Sequence, residues 1–296
     1  MTTNFYWLGV SLAVFSGLSN QLGTVFQKKV INELPDESKF FRTLVKKRLW
    51  LGGLILQYVL GAVLYMTAQL FIGPALIPGF MASGLIVLAI GSIKIVGETL
   101  NKAEILGIFL MIIAFFLLGI SELSIDIAHT NLIEISFLIR IIIFTLVVIL
   151  FSSICYILQR KIKRYKGILL ATLSGLLFVL SNFWISPMIG VIAKIFNGTF
   201  NLGELLIFII SCIILILSNV LGVMTIQKSF TVGQASNLVP IQQVPTLLAP
   251  IAIYFLIFLL TPPSIFSIYY LIIGITLIII SSFLLGKRSA KIEGIK

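Results

Sequence analysis

Apolar residues occur along this chain in runs of about twenty, separated by short polar segments. A helix crosses the hydrocarbon core of a bilayer with about 20 apolar residues, whereas a membrane β-strand needs about 10 in strict alternation. The runs therefore predict an all-α polytopic membrane protein with nine transmembrane helices. The predicted spans are 5–27, 49–71, 75–96, 103–121, 132–158, 167–191, 204–227, 234–260 and 264–286.

The composition agrees with this prediction. Of the 296 residues, 59% are apolar and 10% are charged, whereas a typical soluble domain has about 25% charged residues. These proportions exclude an ordinary soluble protein, a disordered chain and a nucleic-acid binder with a solvated basic face. We expect residues 1–296 to form a single membrane domain whose partner is the lipid bilayer. No nucleic-acid partner is expected, and the protein is expected to be a monomer or a homodimer.

Charge is distributed unevenly between the two sides of the predicted bundle. The chain has 21 Lys and Arg residues against 10 Asp and Glu residues. Most of the positive residues follow the first, third, fifth, seventh and ninth spans, which nine crossings place on one side. The positive-inside rule puts that side in the cytoplasm. We therefore expect an integral protein of the plasma membrane with its N-terminus outside and its basic tail, 287–296, in the cytoplasm.

Short matches indicate an internal repeat. Residues 12–18 resemble residues 170–176, and residues 66–69 resemble residues 224–227, both at an offset of 158, while 75–78 resembles 237–240 at an offset of 162. The predicted repeats, 5–121 and 167–286, contain helices 1–4 and 6–9, and helix 5 (132–158) links them. Five spans precede the second repeat, so the repeats are inverted. Inverted repeats are typical of alternating-access transporters.

The junction Gly97-Glu98-Thr99-Leu100-Asn101, followed by Gly107, resembles the G-E-x-L-(T/N) junction of drug/metabolite transporter superfamily repeats of the EamA-like type. The nine-span layout, with Gln27-Lys28-Lys29 ending helix 1, is similar to NIPA-type magnesium transporters. The resemblance implies a secondary transporter of a small solute, with a magnesium or other divalent-cation transporter as the alternative. Leu260-Thr261-Pro262-Pro263 replaces the junction in the second half. The first span has no carboxylate, so proton coupling through one does not carry over.

Polar residues inside the predicted spans are the candidate site residues, because they are costly in lipid. Arg140 either attracts an anionic group, forms a gating ion pair, is tied to backbone carbonyls, or reaches outward to the interface. The amides either line the pathway or join helices by hydrogen bonds. Prolines free backbone carbonyls, and such carbonyls at depth face protein or a wet cavity. The candidate pathway residues are Asn20, Gln21, Gln69, Arg140, Asn182, Asn219, Gln227, Asn237, Gln242 and Gln243, with Pro78, Pro240, Pro245 and Pro250 as helix-breaking residues.

No arrangement of residues predicts covalent chemistry. The chain has no Ser/His/Asp set and no phosphate-binding glycine loop, so it is not expected to be an enzyme. No cofactor and no resident metal are expected. Mg²⁺ prefers carboxylate oxygens, and the spans contain no Asp or Glu near their centres, which argues in part against the magnesium alternative. A non-transporting accessory subunit is the remaining hypothesis.

Overall fold

A computed structural model describes residues 3–34, 40–72, 80–81, 83–121, 134–262 and 264–293. All regular secondary structure in these residues is helical. The helices are α1 (Thr3–Asn32), α2 (Phe40–Leu44), α3 (Arg48–Leu54), α4 (Gly61–Ile72), α5 (Gly84–Gly91), α6 (Lys102–Ile120), α7 (Ile135–Lys161), α8 (Lys166–Phe196), α9 (Leu202–Val232), α10 (Ala235–Ala252) and α11 (Ile265–Glu293).

Three π-helical segments, which are wider than an α-helix, continue these helices without interruption. Ile55–Leu60 joins α3 to α4, Ser92–Val96 extends α5, and Ile253–Ile257 extends α10. A π-helical turn bonds each residue to the fifth one along rather than the fourth. A short 3₁₀ turn, Lys163–Tyr165, precedes α8.

Seven stretches of the described chain are long and apolar enough to cross a membrane. They are Arg48–Ala68, Lys102–Ile120, Ile135–Lys161, Lys163–Phe196, Leu202–Val232, Ala235–Ile257 and Ile265–Leu285. Gly84–Val96 is apolar but shorter, and α1 is not among the seven. The all-helical prediction is confirmed, and the seven helices are compatible with an integral membrane protein. The count of nine spans, the inversion of the repeats and the orientation of the termini stay predictions.

Two helix starts have a local chemical cause. Asn101 precedes α6 and accepts a hydrogen bond from the Glu104 amide at 2.8 Å, while Glu104 accepts one from the Asn101 amide at 2.7 Å. Asn201 and Glu204 form the same reciprocal pair at the start of α9. Each pair satisfies two backbone donors that have no partner inside the helix.

The helices pack as two groups. In the first, α1 lies against α3, α4 and α5; in the second, α8 lies against α9 and α10; and α6 packs along α11 between the groups. We call α1–α6 the first half and α8–α11 the second half. Between lipid-solvated helices there is little hydrophobic driving force, so close packing and hydrogen bonds hold the halves together.

Glycine allows the closest of these contacts. A Cβ atom on Gly17 would stand 2.7 Å from the Met81 Cα, and one on Gly175 would stand 3.2 Å from the Gln242 carbonyl carbon. α1 therefore meets the backbone at Met81 directly, and α8 meets the backbone of α10 directly. Neither crossing has room for a larger residue.

Serine hydroxyls beside these glycines fix the next helix in each group. Ser16 Oγ donates to the Gly61 carbonyl at 2.7 Å, and Ser174 Oγ donates to the Gly222 carbonyl at 2.8 Å. Ser281 Oγ similarly donates to the Gly107 carbonyl at 2.7 Å, joining α11 to α6. Each bond satisfies a polar group within the protein rather than in lipid.

α7 lies at the edge of the bundle. Its buried residues are Phe137, Ile141, Val148 and Ser152, and they form a narrow stripe against α8. Large apolar side chains cover the rest of its surface, including Ile143, which is 56% exposed. We assign this surface to lipid.

Candidate functional site

Buried amides join the two halves where α1 and α9 end. Gln227 Nε2 donates to Gln27 Oε1, and Gln27 Nε2 donates to Gln57 Oε1 at 2.7 Å. Trp50 Nε1 donates to Gln227 Oε1 at 3.3 Å. Gln27 and Gln227 are each only 1% exposed, so these bonds replace water that the amides would otherwise bind.

Lys28 belongs to the first half but binds the end of a helix in the second. Its Nζ donates to the Phe230 carbonyl and, at 2.7 Å, to the Gly233 carbonyl. The last carbonyls of a helix lack intrahelical partners and carry partial negative charge. The buried ammonium group therefore caps α9, which ends at Val232.

Glu98 binds the next helix start. Its carboxylate accepts hydrogen bonds from the Ala235 amide at 2.7 Å, the Ser236 amide at 3.2 Å and the Ser236 hydroxyl at 2.7 Å. These are the first donors of α10, where the helix dipole is positive. Gly97, with φ of +82°, makes the left-handed turn that precedes Glu98, a conformation that glycine adopts without strain.

A second buried carboxylate lies close by. Glu104 is fully buried and accepts a hydrogen bond from Asn237 Nδ2 at 2.5 Å. Asn237 is also fully buried, and its Oδ1 has no hydrogen-bond partner among the described residues. The capping carboxylate of α6 thus also holds α10 in place.

We name these contacts the polar closure. It consists of Gln27, Lys28, Trp50, Gln57, Glu98, Glu104, Gln227, Ser236 and Asn237, with the backbone groups they bind. A pocket of about 240 Å³ opens beside it and is lined by Lys28, Asn32, Val96, Gly97, Glu98, Thr231, Val232, Gly233 and Gln234. The pocket therefore borders two members of the closure, Lys28 and Glu98.

Three of the predicted site residues bind within the second half. Gln242 Nε2 donates to Ser174 Oγ at 3.0 Å, and Asn219 Nδ2 donates to Ser181 Oγ at 2.5 Å. The Gln243 Oε1 accepts from Thr246 Oγ1 at 3.0 Å. Since Gln242 and Asn219 bond between helices, they join helices whether or not they also line a pathway.

The remaining predicted residues are scattered. Gln21 is 7% exposed with its Oε1 unpartnered among the described residues, Asn20 is half-buried and Asn182 is exposed. Arg140 is half-buried, and its Nε donates to the Ser136 carbonyl of its own helix at 3.2 Å. Its guanidinium group therefore points back along α7 towards Ser136, one turn nearer the start of the helix.

Three of the predicted site residues are not described by the structure, either entirely or in their side chains. Pro78 is not among the described residues, and the side chains of Gln69 and Pro250 are not described either. Pro240 and Pro245 lie inside α10, which continues through both as a helix. The structure brings Gln227 and Asn237 into the polar closure, and the other predicted residues whose side chains it describes lie outside it.

Sequence reasoning missed the charged members of the closure. From sequence, Lys28 belongs to the positive residues after the first predicted span and to the Gln27-Lys28-Lys29 ending, and Glu98 belongs to the junction motif at the inner edge of the membrane. The sequence does contain one signal for Glu98 and Glu104. Acidic residues are rare in this chain, with 10 in total, so two glutamates six positions apart next to an apolar run are candidates for a specific contact.

Comparison with known proteins adds no assignment. No family model matches the chain, and neither a curated protein nor a solved structure matches it. Within the described residues, no three His, Cys, Asp or Glu side chains lie close enough together to hold a metal ion.

Proposed function

We propose that this chain is a secondary transporter of the drug/metabolite type, which moves a small solute by alternating access between two inverted four-helix repeats. The polar closure carries the proposal. It joins the halves through discrete hydrogen bonds, which are worth about 0.5–1.5 kcal/mol net between neutral groups and about 1.5–3 kcal/mol where one group is charged. Hydrogen bonds of this kind can break and re-form at a small cost in free energy, which a gate between the two halves requires.

Matching contacts in the two halves support the repeat. Ser16 and Ser174, which are 158 positions apart, each donate to the carbonyl of a glycine on a neighbouring helix: Gly61 on α4 and Gly222 on α9, which are 161 positions apart. Gly17 and Gly175, the residues next to these serines, each make the closest crossing of their half. Exchange of conformation between two similar units converts an outward-open state into an inward-open one.

The polar groups within the second half favour an uncharged solute. Gln242, Asn219 and Ser174 are neutral, and Arg140 bonds to its own helix near the start of α7. An amide can both donate to and accept from a polar solute. Among the described residues, no cluster of carboxylates or other metal ligands supports the magnesium alternative. Mg²⁺ transport is therefore tested as the second possibility.

The test is solute flux through purified protein in liposomes. One arm follows Mg²⁺ entry with an enclosed fluorescent indicator, and the other follows counterflow of labelled neutral and anionic metabolites. The variants are Arg140→Ala, Gln242→Ala and Gln243→Ala. Thr276→Ala is the control, because Thr276 is exposed on α11 and its hydroxyl bonds to its own helix.

We expect metabolite counterflow in the wild type and in Thr276→Ala, and its loss in Gln242→Ala. Loss in Arg140→Ala as well would assign an anion-facing role to that residue. Mg²⁺ entry without counterflow, lost in Gln243→Ala, would establish the cation transporter instead. Absence of both fluxes from folded protein would favour the accessory subunit.

A further inference from the structure

We propose that Lys28 and Glu98 act together as a clamp on the turn between α9 and α10, and that release of this clamp opens the polar closure. The proposal rests on the proposed function, since a gate has meaning only in a transporter. It assigns the gate to two charged residues rather than to the amides around them.

The geometry of the turn carries this inference. α9 ends at Val232 and α10 begins at Ala235, so the turn presents the negative end of one helix dipole next to the positive end of another. Lys28 binds the carbonyls of Phe230 and Gly233. Glu98 binds the amides at the start of α10. Each charge thus meets the helix end that it stabilises.

Both charged side chains come from the first half, and both backbone targets belong to the second. Hydrogen bonds to charged groups are shorter and stronger than those between neutral groups. The clamp therefore supplies charge-assisted contacts between the halves, as Glu104 does with Asn237. It holds one short turn of the second half from its two sides.

The surroundings make the clamp reversible. The pocket of about 240 Å³ borders Lys28, Glu98 and Gly233, so water can solvate both charges when the turn withdraws. The glycine crossings within each half differ from the clamp, because at Gly17 and Gly175 the two helix backbones are in direct contact and leave no room between them. Movement is therefore expected between the halves and not within either.

Lys28 and Glu98 each bind backbone groups, so the clamp predicts a particular result when the two charged residues are exchanged. If Lys28 and Glu98 acted mainly as an ion pair with each other, exchanging them would preserve the attraction. As a clamp, Lys28→Glu places an anion at the carbonyl end of α9, and Glu98→Lys places a cation at the amide end of α10. The exchange then makes both contacts repulsive.

Cysteine accessibility tests the clamp in purified protein in detergent micelles. Cys155→Ser and Cys212→Ala remove the native thiols. Ser229→Cys reports on the closure, because Ser229 is fully buried on α9 beside Phe230. Ser211→Cys, fully buried nearer the other end of α9, detects general loosening. The readout is the labelling rate with a water-soluble maleimide.

The clamp variants are Lys28→Met and Glu98→Gln, with Lys29→Met as the matched neighbour on α1. We expect labelling at position 229 to rise about tenfold in each clamp variant, with no change at position 211 and none in Lys29→Met. Lys28→Arg keeps the charge and should label like the wild type. The exchanged double variant should label at least as fast as either single variant.

The clamp is overturned if position 229 stays within about twofold of the wild-type rate in both clamp variants. It is equally overturned if the exchanged double variant returns to the wild-type rate, or if positions 229 and 211 accelerate together, which would indicate unfolding. Labelling needs no substrate. Failure of the clamp is therefore seen at position 229, whereas failure of the transport proposal is seen only as absent flux.

Discussion

Gly17→Ala tests how tightly α1 is seated in the first half. The added Cβ would stand 2.7 Å from the Met81 Cα, whereas ordinary van der Waals contact begins at 3.4 Å. The Met81 carbonyl oxygen would stand closer still, so the backbones must separate by more than about 0.7 Å. Overpacking of this kind costs about 1–3 kcal/mol, and alanine returns about 1 kcal/mol through its higher helix propensity. The expected net loss is therefore about 0–2 kcal/mol.

Gly52→Ala is the matched control. Gly52 is a helical glycine of α3, and a Cβ added there would have no atom within 4 Å. The substitution should therefore raise stability by up to about 1 kcal/mol. The helix-propensity gain is shared by the two variants, so they differ by the overpacking cost of about 1–3 kcal/mol, which corresponds to about 2–12 °C in melting temperature.

Thermal unfolding in detergent, followed by tryptophan fluorescence, measures this difference. All three tryptophans are retained in both variants. Equal melting temperatures for Gly17→Ala and Gly52→Ala would refute the argument, because they would show that α1 and the backbone at Met81 separate at no cost. A loss confined to Gly17→Ala would show that the crossing is filled.

Three further substitutions are tested in the same thermal assay. Gln227→Leu removes the donor to the buried Gln27 Oε1 and should lower the free energy of unfolding by about 1–3 kcal/mol. An unchanged melting temperature would contradict a stabilising role for this hydrogen bond. Asn101→Ala removes the cap of α6 and should cost about 1 kcal/mol, and a neutral result would mean that the cap contributes nothing. Arg140→Ala should stay within about 0.5 kcal/mol of the wild type, since among the described residues the guanidinium group bonds to the Ser136 carbonyl and lies near the Phe137 ring; a large loss would place it in a buried contact.

The helix positions were predictable because the apolar runs have a length that only a membrane explains. The predicted starts at 103 and 204 lie within two residues of the observed starts, Lys102 and Leu202, where a capping asparagine precedes each run. The π-helical segments were not predictable, since no residue type specifies them. Three prolines suggested a broken helix, yet Pro240 and Pro245 lie within α10, which continues as a helix.

The charged part of the closure could not be predicted from local sequence. Lys28 and its carbonyl partner at Phe230 are 202 positions apart, and only the packing of α1 against α9 brings them together. Gln227 was predicted because an amide inside an apolar run is conspicuous. Lys28 lies beside Lys29 at a helix end, where positive charge is ordinary, so its partner could not be inferred.

The position of α7 at the edge of the bundle has a consequence for the membrane around it. Its 27 residues span about 40 Å at 1.5 Å per residue, whereas the hydrocarbon core is about 30 Å thick. The helix must tilt or extend its basic last turn into the headgroups. Because its buried stripe rests on α8, a change in the tilt of α7 would act on the helix that carries Ser174 and Gly175. A change in bilayer thickness would then reach the second half through α7.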